Sequence, residues 1–220
     1  DVVAQAMGGV MSLTGPDADS FTKVGPGVGD IFSGMMMAFG ILAALRLAEA
    51  TGEGQFVDVA MYDAVLSLCE RAVYLNDFNG STPGPEGNNH PFLAPFGLFK
   101  AKDGAVAIGV VEDKFWQILA DAIGGDALCS NAKFATRAAR AEHKDALNSL
   151  VETWTKAHTK AELSAILGSK IPFGPLNSIT DIVNDPHVMQ RSMLAQVPNP
   201  DSPKAPWTVT SNPLRFSASK

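Results

Sequence analysis

The 220 residues suffice for one large domain or two small ones with a sizeable core. Apolar residues at 46 % against 18 % charged exclude a disordered chain. A formal charge of −6 with no basic block lacks the Lys/Arg footprint that a grip on nucleic acid needs, so no nucleic-acid partner is expected.

Residues 1–13 read as part of a helix, with Val2, Ala6 and Val10 at helical spacing. Thr14–Gly29 is a loop that closes on Gly25-Pro26-Gly27-Val28-Gly29, and a helix is predicted over Ile31–Ala50. Its apolar run Ile31–Leu45 is fifteen residues long, short of the roughly 20 a membrane span needs. It is therefore read as a buried helix, and no membrane partner is expected. Small residues at Gly34, Ala38 and Ala44 leave one side open to close approach. Thr51–Gly54 stops the helix, Gln55–Val59 reads as a buried strand, and Met61–Asn76 reads as a second helix. Helix, strand, helix with tight glycine turns suggests an α/β layer.

Residues 79–97 hold four Gly and four Pro and read as a linker or functional loop. Gly97–Ala101 and Ala105–Val110 flank Lys102-Asp103-Gly104, a hairpin signal. Helices are predicted at 113–123 and 139–157, and a third starts at the Thr159/Glu162 capping box and ends at Gly168. A strand-like IPFGPL run, a short helix at Ile179–Asn184, and strand-like runs at Trp207–Thr210 and Leu214–Phe216 follow, the tail lying against another layer.

The glycine loop departs from nucleotide-binding fingerprints. Asp30 stands where a third glycine belongs, and no Gly-Lys-Ser/Thr follows. Asp30 itself supports two readings. It precedes the long helix and suits an N-cap. A carboxylate held ionised at a helix start, flanked by glycines that give a bulky substrate room, also suits a covalent nucleophile. The four histidines lack metal-ligand spacing, and no metal is expected. His90, in Gly-Asn-Asn-His-Pro, anchors its loop or takes part in the site. Cys69 and the methionines 35–37 and 61 read as core. Asp17/Asp19 and Glu112/Asp113 read as turns and caps. Cys69 and Cys129 form no Cys-x-x-Cys, so a reduced, cytoplasmic setting is expected.

Taken in order, QAMGGVMSLTG (5–15), the element closing at Asp30, GILAALRLAEATGEGQFVDVAMYDAVL (40–66), GNNHPFLAPFGLF (87–99), KDG (102–104), IPFGPLNSITDIVNDPHV (171–188) and the NPLRFS close resemble the class III coenzyme A transferases. That family includes carnitine-type CoA transferases and α-methylacyl-CoA racemases. The resemblance implies an α/β fold in which part of a Rossmann-like large domain joins a smaller α+β domain, with two subunits interlocked as a homodimer. It divides the chain into residues 1–78 (large domain with the catalytic aspartate), 79–96 (linker and active-site loop), 97–185 (small domain) and 186–220 (return to the large domain). It also implies a nucleotide-binding stretch upstream of Asp1.

On this resemblance Asp30 is the catalytic aspartate. It would attack an acyl-CoA thioester to give an aspartyl anhydride, then an aspartyl-CoA thioester that passes CoA to an acceptor acid. Main-chain N–H groups at the helix start would hold the oxyanion. Gly29, Met61, Asn88 and His90 match positions lining the CoA or acyl site. Coenzyme A or acyl-CoA enters as substrate, a carboxylic acid is the other partner, and no permanently bound cofactor is required. Phe96 hints at a less polar acyl pocket. Glycines spread among prolines at 80, 84 and 87 do not resemble a glycine lid. Two alternatives remain: a racemase, in which the same aspartate is paired as acid/base with a histidine just before the position of Asp1, and a non-catalytic CoA-binding subunit.

Overall fold

The computed structural model describes residues 1–202 and 204–218. Pro203, Ser219 and Lys220, in the expected return segment, lie outside the described residues.

The first part of the chain is helical. Helix α1 (Val2–Met7) ends at Gly8 and runs into a 3-10 turn at Val10–Leu13. A Cβ on Gly8 would stand 2.6 Å from Val65 Cγ1, so the missing side chain lets the end of α1 meet the next layer. Helix α2 spans Val28–Thr51 and stops at Gly52, whose φ of 78° suits glycine. The predicted Met61–Asn76 helix is two helices, α3 (Met61–Ser67) and α4 (Glu70–Asn79). At the break the N–H groups of Leu68 and Cys69 bond three residues back, to Val65 and Leu66, tightening the turn that buries Cys69.

Four expectations for this part are corrected. Gln55–Val59 is extended but pairs with no strand among the described residues, and Phe56 is 91 % exposed. It is not a buried strand, because a strand exists only through its ladder partners. Nor is α2 buried: Ile31, Met35, Phe39, Leu42 and Leu45 all face outward, and Met35, Met36 and Met61 are not core. By length and composition α2 could cross a membrane. Segment 55–59 crosses it where a Gly40 Cβ would lie 3.0 Å from Val57 Cγ1. Among the described residues before β1 there is no strand, so no α/β layer is seen there.

The second part builds its own core on a sheet. β1 (Phe96–Ala101) and β2 (Gly104–Gly109) form a hairpin closed by Lys102-Asp103, with Ala101 opposite Gly104. β3 (Phe173–Pro175) pairs antiparallel with β2, giving the order β1-β2-β3, and is the only laddered part of IPFGPL. Helices α5 (Asp113–Cys129), α6 (Arg137–Glu142), α7 (Lys144–Lys156) and α8 (Lys160–Leu167) accompany it. The predicted 139–157 helix is thus split at His143, and α5 is interrupted at Gly125, whose φ of 60° and ψ of −151° are not helical. Phe99, Val106, Ile108, Trp116, Leu119, Leu147, Val151, Leu163 and Leu167 fill the interior. Burial of side chains of this size contributes about 1.5–3 kcal/mol each.

The Thr159 capping box is formed: Glu162 N–H donates to Thr159 Oγ1 (3.2 Å), and Thr159 N–H donates to Glu162 Oε2 (2.7 Å). Glu112 holds the N-cap position of α5 without a side-chain cap bond, and the Asp113 carboxylate instead accepts from buried Arg140 at 2.7 Å, which also donates to Phe134 O. After short helices α9 (Ile179–Val183) and α10 (Pro186–Gln190), β4 (Leu194–Val197) and β5 (Trp207–Thr210) pair as a separate ribbon. Leu214–Phe216 is not a strand; there Leu214 N–H turns back to Asn212 Oδ1.

Two substitutions test this packing. Leu147→Ala should cost about 2–5 kcal/mol by leaving a cavity, whereas Thr159→Ala, which loses a cap, should cost about 1 kcal/mol. Denaturant unfolding of the two variants should preserve that order, and equal losses would contradict it.

Candidate active site

Asp30 is not the N-cap of α2. Gly27 holds that position, its side chain being absent, and Val28, Gly29 and Asp30 are the first three helical residues. The side-chain acceptor that such a helix start needs comes from 28 residues upstream. Asp1 Oδ1 accepts the Gly29 N–H at 2.9 Å, the bond that an N-cap side chain makes to the second helical residue. Asp1 is held in turn by buried Gln5, whose Nε2 donates to both carboxylate oxygens at 3.0 and 2.8 Å. Gln5 Oε1 accepts from Val24 N–H at 2.9 Å, tying down the loop before α2.

With the cap supplied by Asp1, the Asp30 side chain is released to solvent. It is 64 % exposed, and the main-chain nitrogen of Asp1 lies 3.2 Å from its Oδ1. The two carboxylates flank the same glycine: a Cβ on Gly27 would stand 3.6 Å from Asp30 Oδ2 and 3.9 Å from Asp1 Oδ1. The Asp1 carboxylate is held by Gln5 and Gly29, whereas that of Asp30 faces solvent.

Gly29, matched above to a CoA or acyl position, is buried against α1. A Cβ there would be 3.1 Å from Asp1 Oδ1 and 3.4 Å from Ala4 Cβ. Three of the expected oxyanion donors at the helix start are also engaged. Val28 N–H donates to Pro26 O, Gly29 N–H to Asp1, and Ile31 N–H to Gly27 O.

Met61 opens α3, which packs on α2, and it is partly exposed. Asn88 and His90 lie on the 80–95 loop, which joins the edge of β1. Asn88 O accepts from Leu98 N–H at 3.2 Å, and His90 N–H donates to Phe96 O at 2.9 Å. A Cβ on Gly97 would sit 2.3 Å from Asn88 O, so this pairing needs glycine there. His90 Nδ1 accepts from Phe92 N–H at 3.1 Å, and its ring meets Phe96 edge-on at 5.1 Å between centroids. The loop-anchoring role of His90 is therefore present in the structure. Burial lowers the His90 pKa below its ordinary 6.5, and the positive charges of Arg71 and Arg137 lower it further against the opposing Glu86.

The 80–95 loop is pinned to the loop before Asp30. Gly87 N–H donates to Gly15 O at 3.0 Å, and a Cβ on Gly87 would be 2.9 Å from Pro16 O. From α4, Arg71 reaches the same loop, with Glu86 at 3.6 Å and the Phe92 ring centroid at 6.0 Å. The elements bearing Asp30 and Asn88/His90 are thus joined, although no described bond links those side chains directly. Asn88 and Phe96 border an apolar hollow of about 400 Å³ on the sheet, with Leu98, Ala107 and Phe173. Among the described residues no group of three or more His, Cys, Asp or Glu is placed to hold a metal.

Asp1, Gln5 and Arg71 were not singled out in the sequence. The four-residue spacing of Asp1 and Gln5 on one helix face was a legible signal. Nothing local to Arg71 pointed to the 80–95 loop.

The fold recurs in solved structures. A CAIB/BAIF family protein from Brucella suis superposes over 100 % of this chain and 56 % of its own, with a TM-score of 0.79 and 30 % identity. A Mycobacterium tuberculosis protein gives a TM-score of 0.84 at 21 % identity, covering 58 % of its own chain and all of this one, a likeness of fold alone. The family model for CoA-transferase family III matches residues 1–220, and the chain belongs to that family.

Among curated relatives, a succinyl-CoA:mesaconate CoA-transferase of Haloarcula marismortui is 40 % identical over 99 % of this chain and 54 % of its own length. An acetyl-CoA:oxalate CoA-transferase of Acetobacter aceti is 33 % identical over 88 % of this chain and 50 % of its own. A succinate–glutarate CoA-transferase of Agrobacterium fabrum is 30 % identical over 98 % of this chain and 56 % of its own. The chain spans about half the length of the curated relatives it matches.

The His90 environment makes a signed prediction. A lowered folded-state pKa means the unfolded chain binds the proton more tightly, so this group's contribution to stability is present above pH 6.5 and is lost as pH falls through the folded value. An NMR titration should place the His90 midpoint below 6.5, and Arg71→Ala should move it upward. A midpoint unchanged by Arg71→Ala would contradict the charge assignment.

Proposed function

We propose that the full protein transfers coenzyme A from an acyl-CoA donor to a carboxylic acid, with Asp30 as the nucleophile. The observation that carries this reading is the division of labour between two aspartates: Asp1 caps α2, and Asp30 stands exposed on its first turn with no capping duty. The relatives named above act on succinyl-, acetyl- or related CoA esters with mesaconate, oxalate or glutarate. That pattern favours transfer over racemisation and a dicarboxylic acid as acceptor.

The chemistry follows from a carboxylate that is open to a thioester. An Asp30 Oδ attacks the acyl carbonyl, the C–S bond breaks, and expulsion of CoA as thiolate leaves a mixed aspartyl anhydride. The thiolate then attacks the aspartyl carbonyl, releasing the donor acid as carboxylate and leaving an aspartyl-CoA thioester. The acceptor carboxylate attacks that carbonyl and expels CoA thiolate to form a second anhydride. Attack of the thiolate on the acceptor's acyl carbon yields the new CoA ester and restores the Asp30 carboxylate. Val28, Gly29 and Ile31 already spend their N–H groups, so these three are not the donors that stabilise the oxyanion. The family resemblance supports interlocked homodimerisation, Met61 near the CoA thiol end, and Asn88 and His90 near the active-site mouth, as parts of the same proposal.

The test is intact-mass and peptide mapping of the full-length protein after incubation with succinyl-CoA, with and without hydroxylamine. A hydroxylamine-labile adduct on the Asp30 peptide is expected, and Asp30→Ala should lower turnover by at least about a thousandfold. Absence of the adduct, with solvent deuterium entering the α-carbon of a 2-methylacyl-CoA, would replace transfer by racemisation.

A further inference from the structure

We infer that Gln5 is a positioning residue for Asp30, acting through the Asp1 carboxylate and the Val24–Gly29 turn; this rests on the reading of Asp30 as nucleophile. Gln5 has no exposed surface, and both ends of its amide are engaged. A buried primary amide is tolerated only when so engaged, and a hydrophobe of equal size would fill the space at lower cost. The interest lies in what the two ends hold. Oε1 accepts from Val24, at the entry to the turn, and Nε2 fixes the carboxylate that accepts from Gly29, at its exit.

The residues between are Gly25-Pro26-Gly27-Val28. Glycines on both sides of the proline leave this turn little stiffness of its own, and Gly25 has open space where a Cβ would be. The single side chain of Gln5 therefore spans the turn and sets where α2 begins. Asp30 follows Gly29 directly and protrudes into solvent, so its position is inherited from that start. A displacement of about 1 Å at a reacting group can cost on the order of 100-fold in rate.

Gln5→Leu keeps the bulk and removes both bonds. In the full-length protein, kcat should fall about 10- to 100-fold, with KM for succinyl-CoA within about twofold and cooperative thermal unfolding retained. The rate of hydroxylamine-trappable adduct formation at Asp30 should fall by the same factor. Gln5→Glu is nearly isosteric and sets a second carboxyl against Asp1. Only its protonated form donates, so the ratio of its kcat to that of the wild type should rise between about pH 8 and about pH 6. A kcat for Gln5→Leu within about twofold of wild type, or kcat, KM and thermal midpoint collapsing together, overturns the inference. A flat pH ratio for Gln5→Glu does the same. Wild-type protein that forms no adduct at Asp30 removes the underlying reading as well, whereas normal adduct formation in Gln5→Leu removes this inference alone.

Discussion

The bond from the Gly29 N–H to the Asp1 carboxylate is the contact on which the site depends. A helix start carries N–H groups that need acceptors, and the usual solution is a polar side chain at the N-cap. Here the N-cap is Gly27, which has none, and a carboxylate 28 positions upstream of the Gly29 N–H replaces it. That substitution separates two duties one aspartate would otherwise combine. Asp1 is bonded, part-buried and fixed by Gln5; Asp30 is exposed and unencumbered by the helix end. The glycines follow from the same contact, because Gly29 lies close against α1 and a side chain there would press on the carboxylate that caps the helix.

The two parts of the chain reach very different degrees of completion. The sheet of β1, β2 and β3 with its helices encloses a continuous interior around Trp116, Leu147 and Leu163. The helical part before it leaves Met35, Phe39, Leu42 and Phe56 facing outward, and the extended 55–59 segment makes no ladder among the described residues. A helix whose sequence reads as buried is thus exposed here. Composition reports what a residue would bury, while burial depends on which partners are present.

Between the parts, the 80–95 loop is held from three sides. Its Asn88–His90 stretch extends the edge of β1, Gly87 is bonded to Gly15, and Arg71 leans on it from α4. Each attachment is modest alone, as an exposed ion pair contributes little. Together they join the α+β unit to the loop that leads to Asp30. The place of His90 beside Phe92 and Phe96, near Arg71, accounts for its reluctance to take a proton.

Local chemistry was legible without the fold. The Thr159/Glu162 box, the two-residue turn at Lys102-Asp103, the glycine stop after Thr51 and the burial of Cys69 all depend on neighbours within a few residues or on plain hydrophobicity. The order of motifs along the chain also carried the family, and with it the choice of Asp30. Tertiary structure alone decided the rest. Helix breaks at Cys69 and His143 arise where packing outweighs continuous helical periodicity. Gln55–Val59 has the composition of a strand, but a ladder requires a neighbour that local pattern cannot supply. Asp30 sits where an N-cap would suit, and only the arrival of Asp1 from another helix moves the cap elsewhere. A side chain's duty at a helix end is settled by which acceptor reaches the N–H first, and that is a fact of three-dimensional proximity.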